Sequence, residues 1–386
     1  MPGVWSQLPQ ITDYPAHLEA AWQQHLAPRE PDAPTVISTF AGAGGSSLGY
    51  SMAGYRELLA VEWDNNAVET FRLNFPGVPV YHGDIVKLDV VDCMALAGLT
   101  GPRQLDVLDG SPPCQGFSTA GKRDFGDDRN QLFREYVRLL RGLQPKVFVM
   151  ENVSGMVKGK MKLIFADIMR ELKASGYVVS ARLLNAMWFG VPQSRERMIF
   201  IGVREDLGIA PSHPKAGNRP VTIRGALPHI AAMHFQSMGV EPSREFDVER
   251  EPMCTIRRAG GRQQTRYFVA NSEADISRFA IGDEWERLRP GQKSNKYLSL
   301  VRPDENKPSP TLTKTGSTLS AASVTHPSEK RKFYAWELKR LASFPDGFCL
   351  VGGYSDAWNR IGNSVPPLFM RAIARHIRQT VLDHGQ

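Results

Sequence analysis

From Thr35 to Arg204 short apolar runs alternate with stretches of helical spacing, and this alternation constrains the fold more than any other feature of the chain. Thr35–Phe40 (TVISTF) reads as a buried strand, and the glycine-rich AGAGGSSLGY turns from it into a helix. A second strand over Leu58–Val61 leads to Glu62 and Trp63, followed by helical spacing from Ala67 to Phe75. Leu105–Leu108 reads as a strand ending at Asp109, LFREYVRLLRGL (Leu132–Leu143) as an amphipathic helix, and Val147–Met150 as a strand ending at Glu151. A helix over Lys162–Ala174 and strands near Val178–Leu184 and Met198–Val203 complete the series. Parallel strands need a crossover between them, usually a helix, so this order predicts an α/β fold with a doubly wound, mostly parallel sheet. In such sheets ligands bind beyond the C-terminal strand ends. Phe40, Glu62, Asp109 and Glu151 all fall there.

After Val203 the rhythm stops. Residues from about 205 to 330 are rich in Arg, Gly, Pro, Ser and Thr, yet Tyr267, Phe268, Val269, Trp285 and Leu288 keep an apolar component, so a second, smaller domain is expected. Helical spacing returns near Phe333–Leu341 and from Pro367 onward. The expected organisation is an extension over 1–33 with a helix around Ala16–His25, a large domain built from 34–204 and 355–386, and a small domain over 205–354.

Composition narrows the partners. No run of eighteen apolar residues occurs, so no membrane-spanning helix is expected. The N-terminus lacks the basic start and apolar core of a secretory signal, which argues for an intracellular protein. The net charge of +7, from 47 basic and 40 acidic residues, suits a polyanionic partner without demanding one. The four cysteines (Cys93, Cys114, Cys254, Cys349) lie far apart with no C-x-x-C pair or histidine cluster at ligand spacing. Neither a disulfide framework nor a metal site is expected.

Gly42, Gly44, Gly45 and Gly49 follow a strand and open a helix, which lets backbone approach a nucleotide-like ligand. Glu62, some twenty residues on, suits ribose hydroxyls, and Trp63 can stack on an adenine. A nicotinamide cofactor would fit these features equally well, and a plain tight turn is the bland alternative. Cys114 lies in DGSPPCQGFS (Asp109–Ser118), where two prolines fix the backbone and Gly110 and Gly116 leave room around the thiol. A cysteine in a polar loop at a strand end can have a lowered pKa and act as a nucleophile. Buried, inert thiols are the expectation for the other three.

FAGAGGSSLGY, SPPCQGFS, MENVSGM, VPQSRERMIFIGV, KPSPTLT and RIGNSVPP occur in this order over residues 35 to 204 and 302 to 375. Together they resemble the ordered motifs of the DNA cytosine-5 methyltransferase family. The resemblance implies a Rossmann-like methyltransferase sheet with a smaller, mixed target-recognition domain. It also implies transfer of a methyl group from S-adenosylmethionine to carbon 5 of a flipped-out cytosine in double-stranded DNA. By similarity Cys114 adds to carbon 6 of the base, which makes carbon 5 nucleophilic. Glu151, protonated or sharing a proton, would assist at ring nitrogen 3. Arg197 would contact the base oxygen, with Arg195 supporting the loop or the phosphate backbone. Arg195 and Arg197 alternate on a predicted strand and so would share a face.

For the cofactor the resemblance points to Phe40, Gly42, Gly44, Glu62, Trp63, Asp84 and Ile85, with Pro113 and Leu132 lining the pocket and Asn363, Ser364 and Val365 completing it. For DNA it points to Gln115 and Ser118 in a polar segment, Gln115–Asn130, that reads as a lid. In the small domain it points to Arg257, Arg258, Arg262, Gln263 and Gln264. The family's usual setting is a bacterial restriction–modification system, which implies a cognate restriction endonuclease, a monomeric enzyme and a cytoplasmic, nucleoid-associated location. Two departures stand out: Trp336 precedes Glu337 where the family usually has arginine, and Ser343 stands where glycine is common. A tRNA methyltransferase on the same scaffold is the nearest alternative, but the Cys-Phe-Thr signature of that branch is absent. A catalytically inactive DNA-binding relative would not need Cys114, Glu151 and Arg197 together.

Overall fold

The computed structural model describes residues 7–113, 131–157, 161–230 and 274–383. Seven strands form one sheet: β1 (Thr35–Thr39), β2 (Arg56–Glu62), β3 (Val80–His82), β4 (Val107–Gly110), β5 (Val147–Val153), β6 (Tyr177–Asn185) and β7 (Glu196–Arg204). Their spatial order is β3-β2-β1-β4-β5-β7-β6. Pairs β1–β2, β1–β4, β2–β3 and β4–β5 are parallel, whereas β7 runs antiparallel to both β5 and β6. The mostly parallel, doubly wound sheet expected from the sequence is therefore present.

The central strands β1, β4 and β5 are buried on both faces, which is why they read as continuous apolar runs. Successive side chains point to opposite faces. Val36, Val107, Val147, Val149, Ile199 and Ile201 enter one core cluster, and their neighbours Ile37, Leu108, Phe148, Met198 and Phe200 enter the other. The first face is covered by α1 (Tyr14–Leu26) and α2 (Gly45–Met52) together with the C-terminal helices. The second is covered by α4 (Val90–Leu96), α5 (Gln131–Leu143) and α6 (Met161–Lys173), while α3 (Asn65–Asn74) connects β2 to β3. Predicted and observed limits of the main elements agree within about three residues. The sequence missed β3, a three-residue edge strand with no buried residue.

Beyond β7 the described elements are short: α7 (Ile223–Ala226), α8 (Ala280–Arg287), β8 (Gln292–Lys293), β9 (Val301–Arg302) and α9 (Ala335–Leu341). Ile276, Ile281, Trp285, Leu288 and Leu300 make a small core of their own. Val221, Ile223, Leu227, Leu312, Phe333, Leu338 and Phe344, by contrast, join the large core on the first face of the sheet. Helices α10 (Tyr354–Asn363) and α11 (Pro367–Ile377) then return the chain to α2. A Cβ added at Gly49 would lie 2.6 Å from both Pro367 O and Met370 Cβ, so this glycine lets α2 and α11 pack backbone to backbone. No helix among the described residues is long and apolar enough to cross a membrane.

Candidate active site

The strand order reverses between β1 and β4. From β1 the chain proceeds outward through β2 and β3, and from β4 through β5 on the other side, which opens a crevice at that point. Two loops meet there: Phe40–Gly44 after β1, and Ser111–Pro113 after β4. Phe40 adopts φ 54, in the left-handed region, at a cost on the order of 1–3 kcal/mol, which marks a constrained turn. Gly44 takes φ 90, and a Cβ there would lie 2.4 Å from the Phe75 ring. Gly42 has open space where its Cβ would stand.

Glu62, at the end of β2, is 8% exposed and fixed by three amides. Gly42 N–H donates to Oε2 at 2.7 Å, and Trp63 and Asp64 N–H donate to Oε1 at 2.9 Å each. Trp63 itself is 76% exposed, an apolar plane standing free beside a pinned carboxylate. Asp84 lies just past β3, exposed, and caps a 3-10 turn by accepting Val86 N–H at 3.1 Å; Ile85 is buried in the core. From the C-terminal side, Asn363 ends α10, Ser364 Oγ donates to Arg360 O at 2.6 Å, and Val365 is buried. A Cβ at Gly45 would sit 2.4 Å from Val365 O, so the GNSV segment closes directly on the glycine turn. An Arg360–Asp64 ion pair at 3.0 Å ties α10 to the Trp63 corner. Leu132 is half-buried at the start of α5 and Pro113 is exposed at the end of its loop.

On the other side of the crevice, Arg197 Nε lies 2.7 Å from Glu151 Oε1, both side chains being mostly buried. Val153 pairs with Arg197 and Glu151 with Ile199, which makes the ion pair a diagonal contact on one face of two antiparallel strands. Asn152 Nδ2 donates to Pro112 O at 3.1 Å and its Oδ1 accepts Val153 N–H at 2.8 Å. The Glu151 turn is thereby fastened to the loop that leads into Cys114.

Arg195 is more deeply buried than Arg197 and meets different partners. It precedes β7, is 3% exposed, and donates to Leu312 O at 2.9 Å and Gly362 O at 3.0 Å. Burial lowers its pKa to about 9, with Arg197 adding to that and Glu151 opposing it. It clamps the KPSPTLT segment and α10 to the start of β7.

Sequence reasoning gave no role to the polar groups under the glycine turn. Ser46 Oγ donates to Asp109 Oδ2 at 2.6 Å, and Ser47 Oγ donates to Glu57 Oε1 at 2.8 Å. Adjacent serines opening a helix beside acids on two strands were the available signal, but nothing local paired them.

Cys93 is free and fully buried, and burial pushes its thiol up to about 11, as suits an inert residue. Cys349 is disulfide-bonded, contrary to the expectation of an inert, unpaired thiol there. His229, His326 and Glu337 bring potential ligand atoms within 4.8 Å of one another, a buried group that sequence spacing did not reveal. Arg331 already engages both Glu337 oxygens, at 2.7 and 3.0 Å, so the cluster reads as an ion-pair network. Trp336 packs on His229 with ring centroids 4.6 Å apart, which gives the departure at that position a structural use. Cys114, Gln115, Ser118, Arg257, Arg258, Arg262, Gln263 and Gln264, and the Gln115–Asn130 lid reading, lie outside the described residues.

Residues 34–379 match the family model for C-5 cytosine-specific DNA methylase. The Type II methyltransferase M1.HphI of Haemophilus parahaemolyticus is 35% identical over 353 residues, covering 89% of this chain and 86% of that protein. M.DdeI of Desulfomicrobium norvegicum is 32% identical, covering 89% and 88%. A putative DNA modification methyltransferase encoded within a prophage of E. coli matches with a TM-score of 0.67 at 26% identity, over 91% of this chain and 100% of that one. The S. pombe Dnmt2 methyltransferase, at 19% identity, 92% and 100% coverage and a TM-score of 0.57, shares the fold.

Proposed function

The chain belongs to the C-5 cytosine-specific DNA methylase family and is a DNA cytosine-5 methyltransferase of the restriction–modification type; from that premise we propose that it methylates a flipped-out cytosine in double-stranded DNA through a covalent Cys114 adduct, with S-adenosylmethionine as donor. The observation that carries this reading is the Arg197–Glu151 pair, fastened through Asn152 to the Pro112 carbonyl two residues before Cys114.

The donor fits the residues present. The open side of Gly42 admits a close ligand backbone, the pinned Glu62 carboxylate offers acceptors for ribose hydroxyls, and the exposed Trp63 ring offers a face for adenine. Asp84 and Ile85 flank the adenine end, while Phe40, Gly44, Pro113, Leu132 and Asn363–Val365 wall the site. When bound, the donor supplies the methyl group as an electrophilic sulfonium. A P-loop lysine is unnecessary because no phosphate is held.

Adding the Cys114 thiolate to carbon 6 raises electron density at carbon 5 and on the ring. Arg197, oriented by its ion pair, would stabilise charge developing on the base oxygen, and Glu151 would hold the proton at ring nitrogen 3. Arg195 acts as a positioning residue through its two backbone carbonyls. Recognition of the target sequence is assigned to residues 205–354, with Arg257, Arg258, Arg262, Gln263 and Gln264 reading base edges or phosphates and Gln115 and Ser118 closing over the base. We further assign the large domain to 34–204 with 355–386, and a cytoplasmic monomer acting beside a cognate endonuclease.

Trapping tests the reading. Duplex DNA carrying 5-fluorocytosine at the methylated site blocks the final proton loss, so the wild-type chain should form a stable covalent complex with donor present and Cys114→Ala should form none. Bisulfite sequencing of DNA from expressing cells would identify that site. Methylated tRNA with unmodified DNA would instead support the tRNA alternative.

A further inference from the structure

Asp109, the third residue of β4, lies opposite Ser38 of β1 at the point where the strand order reverses. It is 2% exposed. Ser46, two residues past Gly44 on α2, donates to it at 2.6 Å, and Tyr50 on the next turn donates at 3.4 Å. Pro112 and Pro113 follow it into the Cys114 loop, and a Cβ at the intervening Gly110 would meet Thr39 Oγ1 at 2.4 Å and the Tyr136 ring at 2.7 Å. The carboxylate therefore joins the glycine turn to the nucleophile's loop with no slack between them.

Among the described residues, its surroundings do not balance a negative charge. The described groups that face it are Ser46 and Tyr50 on α2, Tyr136 on α5, Glu57 on β2 and Glu151 on β5. Each of these is neutral or acidic. Burial, with Glu151 adding to it, pushes the Asp109 carboxyl up to about 7 against the two hydroxyl hydrogen bonds. A buried carboxylate without a cation tends to hold its proton.

We propose that Asp109 is a positioning residue whose countercharge is the methyl donor: arrival of the sulfonium at the glycine turn releases the Asp109 proton to solvent, and the ionised carboxylate then holds Ser46 and the first turn of α2 against the Cys114 loop. The inference rests on the reading of that turn as the S-adenosylmethionine site. No covalent bond of the donor changes; one O–H bond of the carboxyl is exchanged for a solvated proton. S-adenosylhomocysteine lacks the sulfonium, and comparing wild type with Asp109→Asn on the same ligand cancels the ligand's own α-amino titration, so the two comparisons together isolate the coupling.

Isothermal titration calorimetry on the full chain with each ligand at pH 6, 7 and 8, in buffers of different ionisation enthalpy, tests this. S-adenosylmethionine should bind about tenfold more tightly at pH 8 than at pH 6, with proton release, while the affinity of S-adenosylhomocysteine should change by no more than about twofold. Asp109→Asn should flatten the difference. Ser46→Ala, which removes a hydrogen bond favouring the ionised form, should move the inflection to higher pH. Equal pH slopes for the two ligands in wild type, or an unchanged slope in a folded Asp109→Asn chain, would overturn the proposal. If Asp109→Asn does not fold, an unmoved inflection in Ser46→Ala overturns it instead. Failure of wild type to bind either ligand at any pH would remove the donor-site reading as well, which separates the two failures.

Discussion

Arg197 reaches Glu151 diagonally across two antiparallel strands, Nε to Oε1 at 2.7 Å, while Arg195, two positions earlier, donates to the carbonyls of Leu312 and Gly362. The two arginines of one short motif therefore do different work. One orients a carboxylate in the crevice, and the other holds the segments that wall it.

That division predicts opposite phenotypes. Arg197→Lys keeps the charge but loses the planar fork. It should lower the single-turnover rate of methyl transfer by about 100- to 1,000-fold while leaving the melting temperature close to wild type. Arg195→Met should destabilise first, because each buried carbonyl left unpaired costs about 1–3 kcal/mol. Calorimetric melting beside rapid-quench methylation separates them, and a large Tm loss in Arg197→Lys with none in Arg195→Met would refute the assignment.

The Trp63 corner predicts a split in donor affinity. Removing an exposed indole that stacks on a ligand ring should cost about 1 kcal/mol, or about fivefold in Kd, in Trp63→Ala. Glu62→Gln should cost more, since an amide NH2 group would face backbone N–H donors that now point at a carboxylate. Donor titrations should also shift the wild-type tryptophan fluorescence, and a Trp63→Ala chain that binds as tightly as wild type would contradict the stacking.

His326 predicts an acid limit to stability. It is fully buried, its Nδ1 accepts the Glu329 N–H at 3.0 Å, and burial lowers its pKa to about 3, with Glu337 opposing and Arg331 reinforcing the shift. The unfolded chain binds this proton near pH 6.5 and the folded chain does not, so stability is retained above that pH and falls as pH drops toward 3. The slope from this group alone is about 1.4 kcal/mol per pH unit. His326→Asn, whose side-chain oxygen can replace Nδ1 as acceptor, should be less stable at pH 7.5 yet show a shallower decline in urea unfolding between pH 6 and 4. An unchanged slope would place the acid sensitivity elsewhere.

Much of this arrangement was legible in the residues. β1, β4 and β5 announced themselves because strands buried on both faces are unbroken apolar runs, and the reach from Gly42 to Glu62 follows from one strand–helix–strand unit. The anchoring of Arg195 was not legible, because the carbonyls it reaches, Leu312 and Gly362, lie more than a hundred residues away in sequence. β7 begins at Glu196, and just before it Asn185 Oδ1 accepts Arg195 N–H at 3.1 Å. The Ser46–Asp109 contact spans two different elements, and no periodicity encodes such a pairing. Helix α10 did carry a signal, with Tyr354, Ala357, Trp358 and Ile361 buried at i, i+3, i+4 and i+7, but it follows two glycines and is short.

The closure of Val365 on Gly45 has a consequence for biosynthesis. The glycine turn is translated early, yet the wall it packs against emerges from the ribosome roughly three hundred residues later, long after the sheet can form. A nascent chain would therefore hold a half-built crevice through most of its synthesis. The crevice wall is completed only when α10 and α11 dock against α2, so the last helices to be made are the ones that finish the site.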